Sequence, residues 1–336
     1  MKRTAYLGSP LLLFFLLLVP TQSWAQADVE AYTAFYAEEN AAQKLAMGEK
    51  FLTDFKTSTY VEPVFLTVVT LHAKTNNWAK VMEYADKVEQ IAAGMKPANK
   101  AAVYSQGMAA AQQTNNDAKV IAFGEKVIAI APNDVPTLVT VASTIPRALP
   151  ADANAKNAAL DKALKYGNSA LTGLGSLTGK DFGLPDAQWA TQKQAIEGAI
   201  HGALGETLYH KADYEKAATE LTTAVKSLPK DPNVWYFLGL SLDQQYSGFA
   251  KSYAEAAKAQ NDAIAKRAER FQIEELTAQA EALRDTARAK RGEVIDALAS
   301  AVANGAQQAM ARLESLYKQQ NNDSLVGLDK LIASKK

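Results

Sequence analysis

Histidines are the first residues of this chain to consider for chemistry, because an imidazole can bind a metal ion or transfer a proton near neutral pH. The chain has three, His72, His201 and His210. No two of them are four residues apart with a glutamate between, as a zinc protease requires, and the chain has no cysteine to complete a metal site. We therefore expect no metal site and no cofactor. His201 is expected to pack between helices, and the other two to lie near helix ends, in a solvated or an end-of-helix role.

A glycine-rich segment, residues 173–185, is the second candidate for chemistry. A phosphate-binding loop of the Walker type has four residues between its glycines and a Ser or Thr after its Lys. Here three residues separate Gly175 from Gly179, and Asp181 follows Lys180, so a carboxylate replaces the hydroxyl that would hold magnesium. We interpret the segment as a loop or a mobile hinge. Since the chain also lacks a Gly-x-Ser-x-Gly nucleophile turn, we predict that it is not an enzyme, with small-molecule binding or catalysis at residues 173–185 as the alternative.

An internal repeat predicts the helices that would position any functional site. Four positions recur in the same order later in the chain: His201, Leu204, Gly205 and Leu208 correspond to Trp235, Leu238, Gly239 and Leu242. The interval of about 34 residues is typical of stacked helix-turn-helix units. In such an array, neighbouring units bury each other's apolar faces.

The residues of this repeat are similar to those of the tetratricopeptide repeat (TPR) family. One unit is filled by Leu204-Gly205, Tyr209, Tyr214, Ala217, Leu221 and Ala224, and the next opens with Trp235, Leu238 and Gly239. The resemblance implies an all-α fold, an α-solenoid of helix pairs whose concave face binds a protein or peptide. Glycine fits this pattern because two helices can cross closely only where a side chain is small.

Fainter copies of the repeat extend the array upstream. The second helix of a pair carries Gly48-Glu49-Lys50-Phe51, Ala85-Asp86-Lys87-Val88 and Gly124-Glu125-Lys126-Val127, with a weaker copy at Tyr166-Gly167. We predict about six pairs over residues 26–265, clearest over 198–265, joined by turns such as Asn76-Asn77 and Asn115-Asn116. Residues 266–336 are expected to form C-terminal capping helices, one of them running from Val294 to Gln319.

The register of the repeats predicts which residues line the concave face of the later units. These candidate binding residues are Glu206, Tyr209, Tyr236, Leu240 and Asp243. Their aromatic and acidic character suits an extended peptide that is basic or apolar. Ordinary packing between repeats is the alternative role for the two tyrosines.

The segment 1–25 predicts a signal peptide, with Lys2-Arg3, an apolar run from Leu11 to Val19 and a cleavage point after Ala25 or Ala27. We expect an exported chain, periplasmic or secreted, with no membrane insertion after cleavage and no lipid-bearing cysteine. Removal of this segment leaves 34 basic and 36 acidic residues, so we expect no nucleic-acid partner. The apolar seam from Ile273 to Ala287 leaves self-association through the C-terminal helices as a third function.

Overall fold

The computed structural model describes residues 22–336, so residues 1–21 of the predicted signal peptide lie outside it. The chain divides into two compact units, unit 1 up to Lys96 and unit 2 from Pro97, and each is described by itself. Every regular element of the described residues is a helix, which confirms the predicted all-α class. None of the described helices has both the length and the apolar character needed to span a bilayer.

The described residues of unit 1 form two helix pairs. These are α1 (Gln22–Ala37) with α2 (Ala41–Asp54), and α3 (Val61–Lys74) with α4 (Trp78–Ile91). Their core includes the fully buried rings of Phe35, Phe51 and Phe65. A Cβ placed on Gly48 would lie 2.4 Å from Val68 Cγ2, so this glycine allows α2 to lie directly against α3.

Unit 2 contains four further pairs and two closing helices. The pairs are α5 (Pro97–Gln113) with α6 (Asp117–Ile130), α7 (Val135–Thr144) with α8 (Ala153–Ser176), α9 (Asp186–His210) with α10 (Tyr214–Ser227), and α11 (Pro232–Ala265) with α12 (Arg270–Ala303). The closing helices are α13 (Met310–Gln320) and α14 (Leu328–Ser334). They bury Leu313, Leu316 and Leu328 against Leu298 of α12. The described residues therefore hold six helix pairs and C-terminal caps, as the sequence predicts.

The turns inside three pairs share one conformation. Asn76, Asn115 and Ala212 have φ angles of 55°, 53° and 61°, in the left-handed region. The next residue then caps the second helix: Asn116 Oδ1 accepts a hydrogen bond from the Lys119 amide, as Asn77 and Asp213 do from Lys80 and Lys216. The asparagine pairs noted in the sequence therefore form two of these three turns, since asparagine tolerates positive φ better than most residues.

The two repeat-equivalent glycines occupy equivalent helix crossings. A Cβ on Gly205 would lie 2.4 Å from Leu221 Cγ, and one on Gly239 would lie 2.4 Å from Leu298 Cδ2. Each glycine therefore faces the second helix of its own pair. The repeat interval seen in the sequence corresponds to a repeated packing contact.

Three local expectations differ from the structure. The segment predicted as a loop is shorter than expected, because α8 continues through Gly173 and Gly175 to Ser176, and a 3-10 turn follows at Gly179–Phe182. The second helix of the sixth pair is α12, which lies beyond residue 265. The single helix expected from Val294 to Gln319 is divided, because Gly305 has a φ of 115° and ends the helical path after Ala303.

Candidate functional site

One face of α7 and one face of α9 line a groove in unit 2. Side chains four residues apart lie on the same helix face, and α7 and the turn after it contribute Val135, Val139, Ser143 and Arg147 at that spacing. From α9 the groove takes Gln192, Ala195, Ile196, Ala199, Gly202, Ala203 and Glu206. Its two cavities share Ala199, so they form one surface, which we call the α7–α9 groove.

The apolar end of the groove is a cavity of about 360 Å³ beside the 3-10 turn. Its walls include Val139, Leu177, Phe182 and Ile196. The Phe182 ring stacks on Trp189 with ring centroids 4.8 Å apart, yet 39% of the residue's surface is exposed. An apolar group of a ligand that packs on this exposed ring leaves water, and its burial favours binding at this end of the groove.

The polar end is a second cavity, of about 170 Å³, that α11 closes with Asn233, Val234 and Phe237. Two of its charged groups already have partners. Arg147 donates to Asp117 from Nη2 and Nε, at 3.2 and 3.4 Å. The other is Asp231, which caps α11 by accepting from the amides of Asn233 and Val234 at 2.8 and 3.2 Å.

Glu206 is the charged group of the polar end that has no such partner. It is half-buried, and no described residue forms a hydrogen bond or an ion pair with its carboxylate. Burial raises the pKa of Glu206 to about 7, with a smaller contribution from the negative charge of Asp231, while Arg147 acts in the opposite direction. The groove therefore contains a carboxylate that is poorly solvated and free to pair with a ligand.

Tyr209 lies one helical turn beyond Glu206 and belongs to an aromatic cluster. Its ring meets Phe237 edge-on at 5.4 Å and contacts Tyr214 and His210 at 5.7 and 5.5 Å. Burial raises the pKa of the Tyr209 hydroxyl and lowers the pKa of His210. Tyr209 thus supports Phe237, which lines the groove, while itself being half-buried.

The other predicted concave residues lie on α11, outside the residues that line the groove. Tyr236 packs against the core around Leu298 and meets Phe237 edge-on at 5.6 Å. Leu240 is half-buried. Asp243 is 8% exposed, and both of its carboxylate oxygens accept hydrogen bonds from Arg312. Of the five predicted residues, Glu206 alone lines either cavity of the groove.

The histidines have structural contacts rather than a shared site. His201 Nδ1 lies 2.6 Å from Glu220 Oε2 between α9 and α10, in agreement with its predicted packing role. His72 lies in the last turn of α3, the end-of-helix position expected for it, but it is 2% exposed and not solvated, and its Nε2 lies 3.0 Å from Glu49 Oε1. No group of three or more possible metal ligands occurs among the described residues.

The surroundings of residues 173–185 include a polar crevice on α8 that is lined by Lys165, Ser169, Thr172 and Ser176. Two of its three hydroxyls already donate within α8, Thr172 to the Asn168 carbonyl and Ser176 to the Gly173 carbonyl. Asp181 accepts from Thr178 and closes the 3-10 turn. These groups do not converge on a ligand, so the geometry favours the α7–α9 groove over this crevice.

The apolar seam of the C-terminal helices packs within the chain. Ala280 and Ala287 of α12 are buried together with Ala256 and Ala263 of α11. Gln260 Nε2 also donates to Thr277 Oγ1 across the pair at 2.8 Å. The apolar seam seen in the sequence is explained by this helix pair.

Several groove residues were missed from the sequence because they belong to the fourth pair, whose first helix has no recognisable repeat motif. The available signal was the series Val135, Val139, Ser143 and Arg147, which follows the N-cap Asp134 at intervals of four residues. Phe237 was missed for another reason. The register placed its neighbour Tyr236 on the concave face, and one residue turns a helix by about 100°.

The comparisons with known proteins are distant. No protein-family model matches the chain, and no curated protein is similar to it in sequence. Among solved structures, the human IFIT1 dimer with m7Gppp-AAAA is 13% identical, over 93% of this chain and 68% of that chain, with a TM-score of 0.30. The APC/C hetero-tetramer Cut9-Hcn1 is 15% identical, over 85% and 54%, with a TM-score of 0.24. Superpositions this loose carry no argument about what the present chain binds.

Proposed function

We propose that this protein is a non-catalytic scaffold that binds a protein or peptide partner in the α7–α9 groove. The observation that carries the proposal is that an apolar cavity shares a wall residue, Ala199, with a cavity whose Glu206 carboxylate has no partner among the described residues. A partner that covers both ends gains binding free energy from burial of Phe182 and from pairing with Glu206.

The dimensions of the groove favour an extended segment over a compact small molecule. The α7 side runs from Val135 to the turn at Arg147, which corresponds to about 18 Å at 1.5 Å per residue. The TPR-like organisation of the helix pairs supports the same assignment, since their first helices supply most of the groove residues.

The proposal includes the compartment. The leader predicted at residues 1–25 makes an exported protein, periplasmic or secreted, and its partner is expected in the same compartment. The near balance of acidic and basic residues favours a protein partner over nucleic acid.

The test is affinity capture from the native envelope fraction with a groove-filling variant. Ala199→Leu places a larger side chain where the two cavities meet. The matched control is Ala187→Leu, the same change at an exposed position of α9 that lines neither cavity. We expect a partner that the wild-type chain and the Ala187→Leu variant retain and that the Ala199→Leu variant loses.

A second filling variant, Ser143→Leu, covers the case in which Ala199→Leu disturbs folding, as judged by far-ultraviolet circular dichroism. Equal capture by all folded variants would place the binding surface elsewhere. Capture of no protein by the wild-type chain would remove the main support for a scaffold.

A further inference from the structure

The two ends of the α7–α9 groove differ in chemistry, and their separation is fixed by one helix. Ile196 lines the apolar end and Glu206 lines the polar end, both on α9. Ten residues of helix correspond to about 15 Å along the axis. An extended peptide advances about 3.3 Å per residue, so two peptide side chains that reach both ends are four or five residues apart.

The charge balance of the polar end favours a cation. Arg147 is paired with Asp117, and Asp231 is paired with the amides at the start of α11. The carboxylate of Glu206 remains, and α10 contributes only the apolar Leu221 beside it. Two carboxylates, Glu206 and Asp231, and the guanidinium of Arg147 line this end, and Arg147 is already paired with Asp117, so an incoming Lys or Arg meets net negative charge in a partly desolvated site.

We propose that the groove recognises an extended segment with a large apolar residue at its apolar end and a Lys or Arg four or five positions away that pairs with Glu206. This inference rests on the proposed function, because it specifies the partner of the same groove. The apolar residue contributes through burial against Val139, Phe182 and Ile196. The basic residue contributes a charge-assisted hydrogen bond to a carboxylate that the fold leaves unpaired.

The test uses the chain from residue 26 and fluorescently labelled peptides with an alanine and serine background. Each peptide carries one Phe and one Arg, separated by two to eight positions in either order. Fluorescence anisotropy is expected to give the tightest binding at separations of four and five, about tenfold tighter than at two or eight. Replacement of Arg by Glu is expected to weaken binding by at least about tenfold.

Two variants separate the contributions of the apolar and the basic residue of the peptide. Glu206→Gln should abolish the preference for Arg over Gln in the peptide while the preference for Phe over Ala remains. Val139→Ser should abolish the preference for Phe over Ala while the preference for Arg over Gln remains, because this substitution alters only the apolar end. The preference for Arg should also fall at pH 5 in the wild-type chain, where Glu206, which faces Arg147 and Asp231, is protonated.

The outcomes also distinguish this inference from the proposed function. Peptides that bind in the groove, as shown by loss of binding in Ala199→Leu, but without a preference for Arg or for spacing, would overturn the inference and leave the groove as a binding site. If none of the peptides gives saturable binding, the inference is again overturned, and the capture experiment decides the function of the groove independently.

Discussion

Arg312 of α13 holds the carboxylate of Asp243 of α11 with two hydrogen bonds. The Arg312 Nη2 lies 2.7 Å from Oδ1 and Nε lies 2.9 Å from Oδ2. Asp243 is 8% exposed, so this ion pair connects a closing helix to the interior of the sixth pair. The pairing raises the pKa of Arg312, chiefly through the hydrogen bond to Asp243. Asp243, which was predicted to line a binding face, thus has a structural role.

Arg312→Ala is expected to lower the free energy of unfolding by about 2 kcal/mol or more, because it leaves a buried carboxylate without its partner. Urea denaturation followed by circular dichroism measures the change. The control is Arg270→Ala, since the pair of Arg270 with Glu274 is exposed, with side-chain exposures of 92% and 60%. Its effect should stay within about 0.5 kcal/mol. Equal effects of the two substitutions would contradict the structural role of the buried pair.

Two glycines of α11 are expected to respond oppositely to alanine. A Cβ at Gly239 would lie 2.4 Å from Leu298 Cδ2, whereas a Cβ at Gly248 has no atom within 4 Å. Gly239→Ala should therefore destabilise the chain by about 1–3 kcal/mol through overpacking. Gly248→Ala should stabilise it by about 0.5–1 kcal/mol through helix propensity. Thermal unfolding of both variants checks the pair, and a gain in stability from Gly239→Ala would mean that the two helices do not cross closely there.

The sequence predicts the paired helices of this fold well because close crossings restrict residue type. Gly205 and Gly239 recur at the repeat interval since each faces a leucine of its partner helix at the same distance. Continuity of a helix is harder to predict. Residues 232–265 form one helix because no proline interrupts it after Pro232, and it ends before the turn at Arg267, whose φ is 54°.

The groove was predictable in part. Glu206 follows from the repeat register, because the fifth pair retains the motif and its first helix faces the groove. Phe182 does not follow, since it lies on a 3-10 turn between pairs where no periodicity applies. The roles of Asp243 and Arg312 depend on a contact between residues 69 positions apart, which a single sequence does not reveal.

Ala212→Asn is expected to stabilise the chain by about 0.5–1 kcal/mol, because a left-handed conformation disfavours alanine more than asparagine. Ala212 has a φ of 61°. The structurally equivalent turn residue Asn115, with a φ of 53°, already has the favourable side chain. The reverse substitution there, Asn115→Ala, should destabilise by a similar amount in the same urea titration. Two substitutions that change stability in the same direction would contradict the shared turn conformation.

Glu206→Gln is expected to change how stability depends on pH. Burial raises the pKa of Glu206 in the folded chain from 4.5 to about 7, so the folded state holds this proton more tightly than the unfolded state. Below pH 4.5 both states are protonated and the carboxyl has no net effect. As the pH rises from 4.5 towards 7, the unfolded state ionises first, and the free energy of unfolding falls. Because a tenfold change in proton affinity is worth about 1.4 kcal/mol, the full loss above pH 7 is on the order of 3 kcal/mol.

The glutamine variant removes this loss, so it should equal the wild type in stability near pH 4 and exceed it by about 1–3 kcal/mol at pH 8. Urea titrations across that range measure the difference. Glu275→Gln, at an exposed position of α12, is the matched control and should leave the pH profile unchanged. If Glu206→Gln instead lowered stability at pH 8, the carboxylate would have a stabilising partner within the fold. The groove would then have no free acidic group to offer a basic ligand, because Asp117 already pairs with Arg147 and Asp231 with the amides at the start of α11.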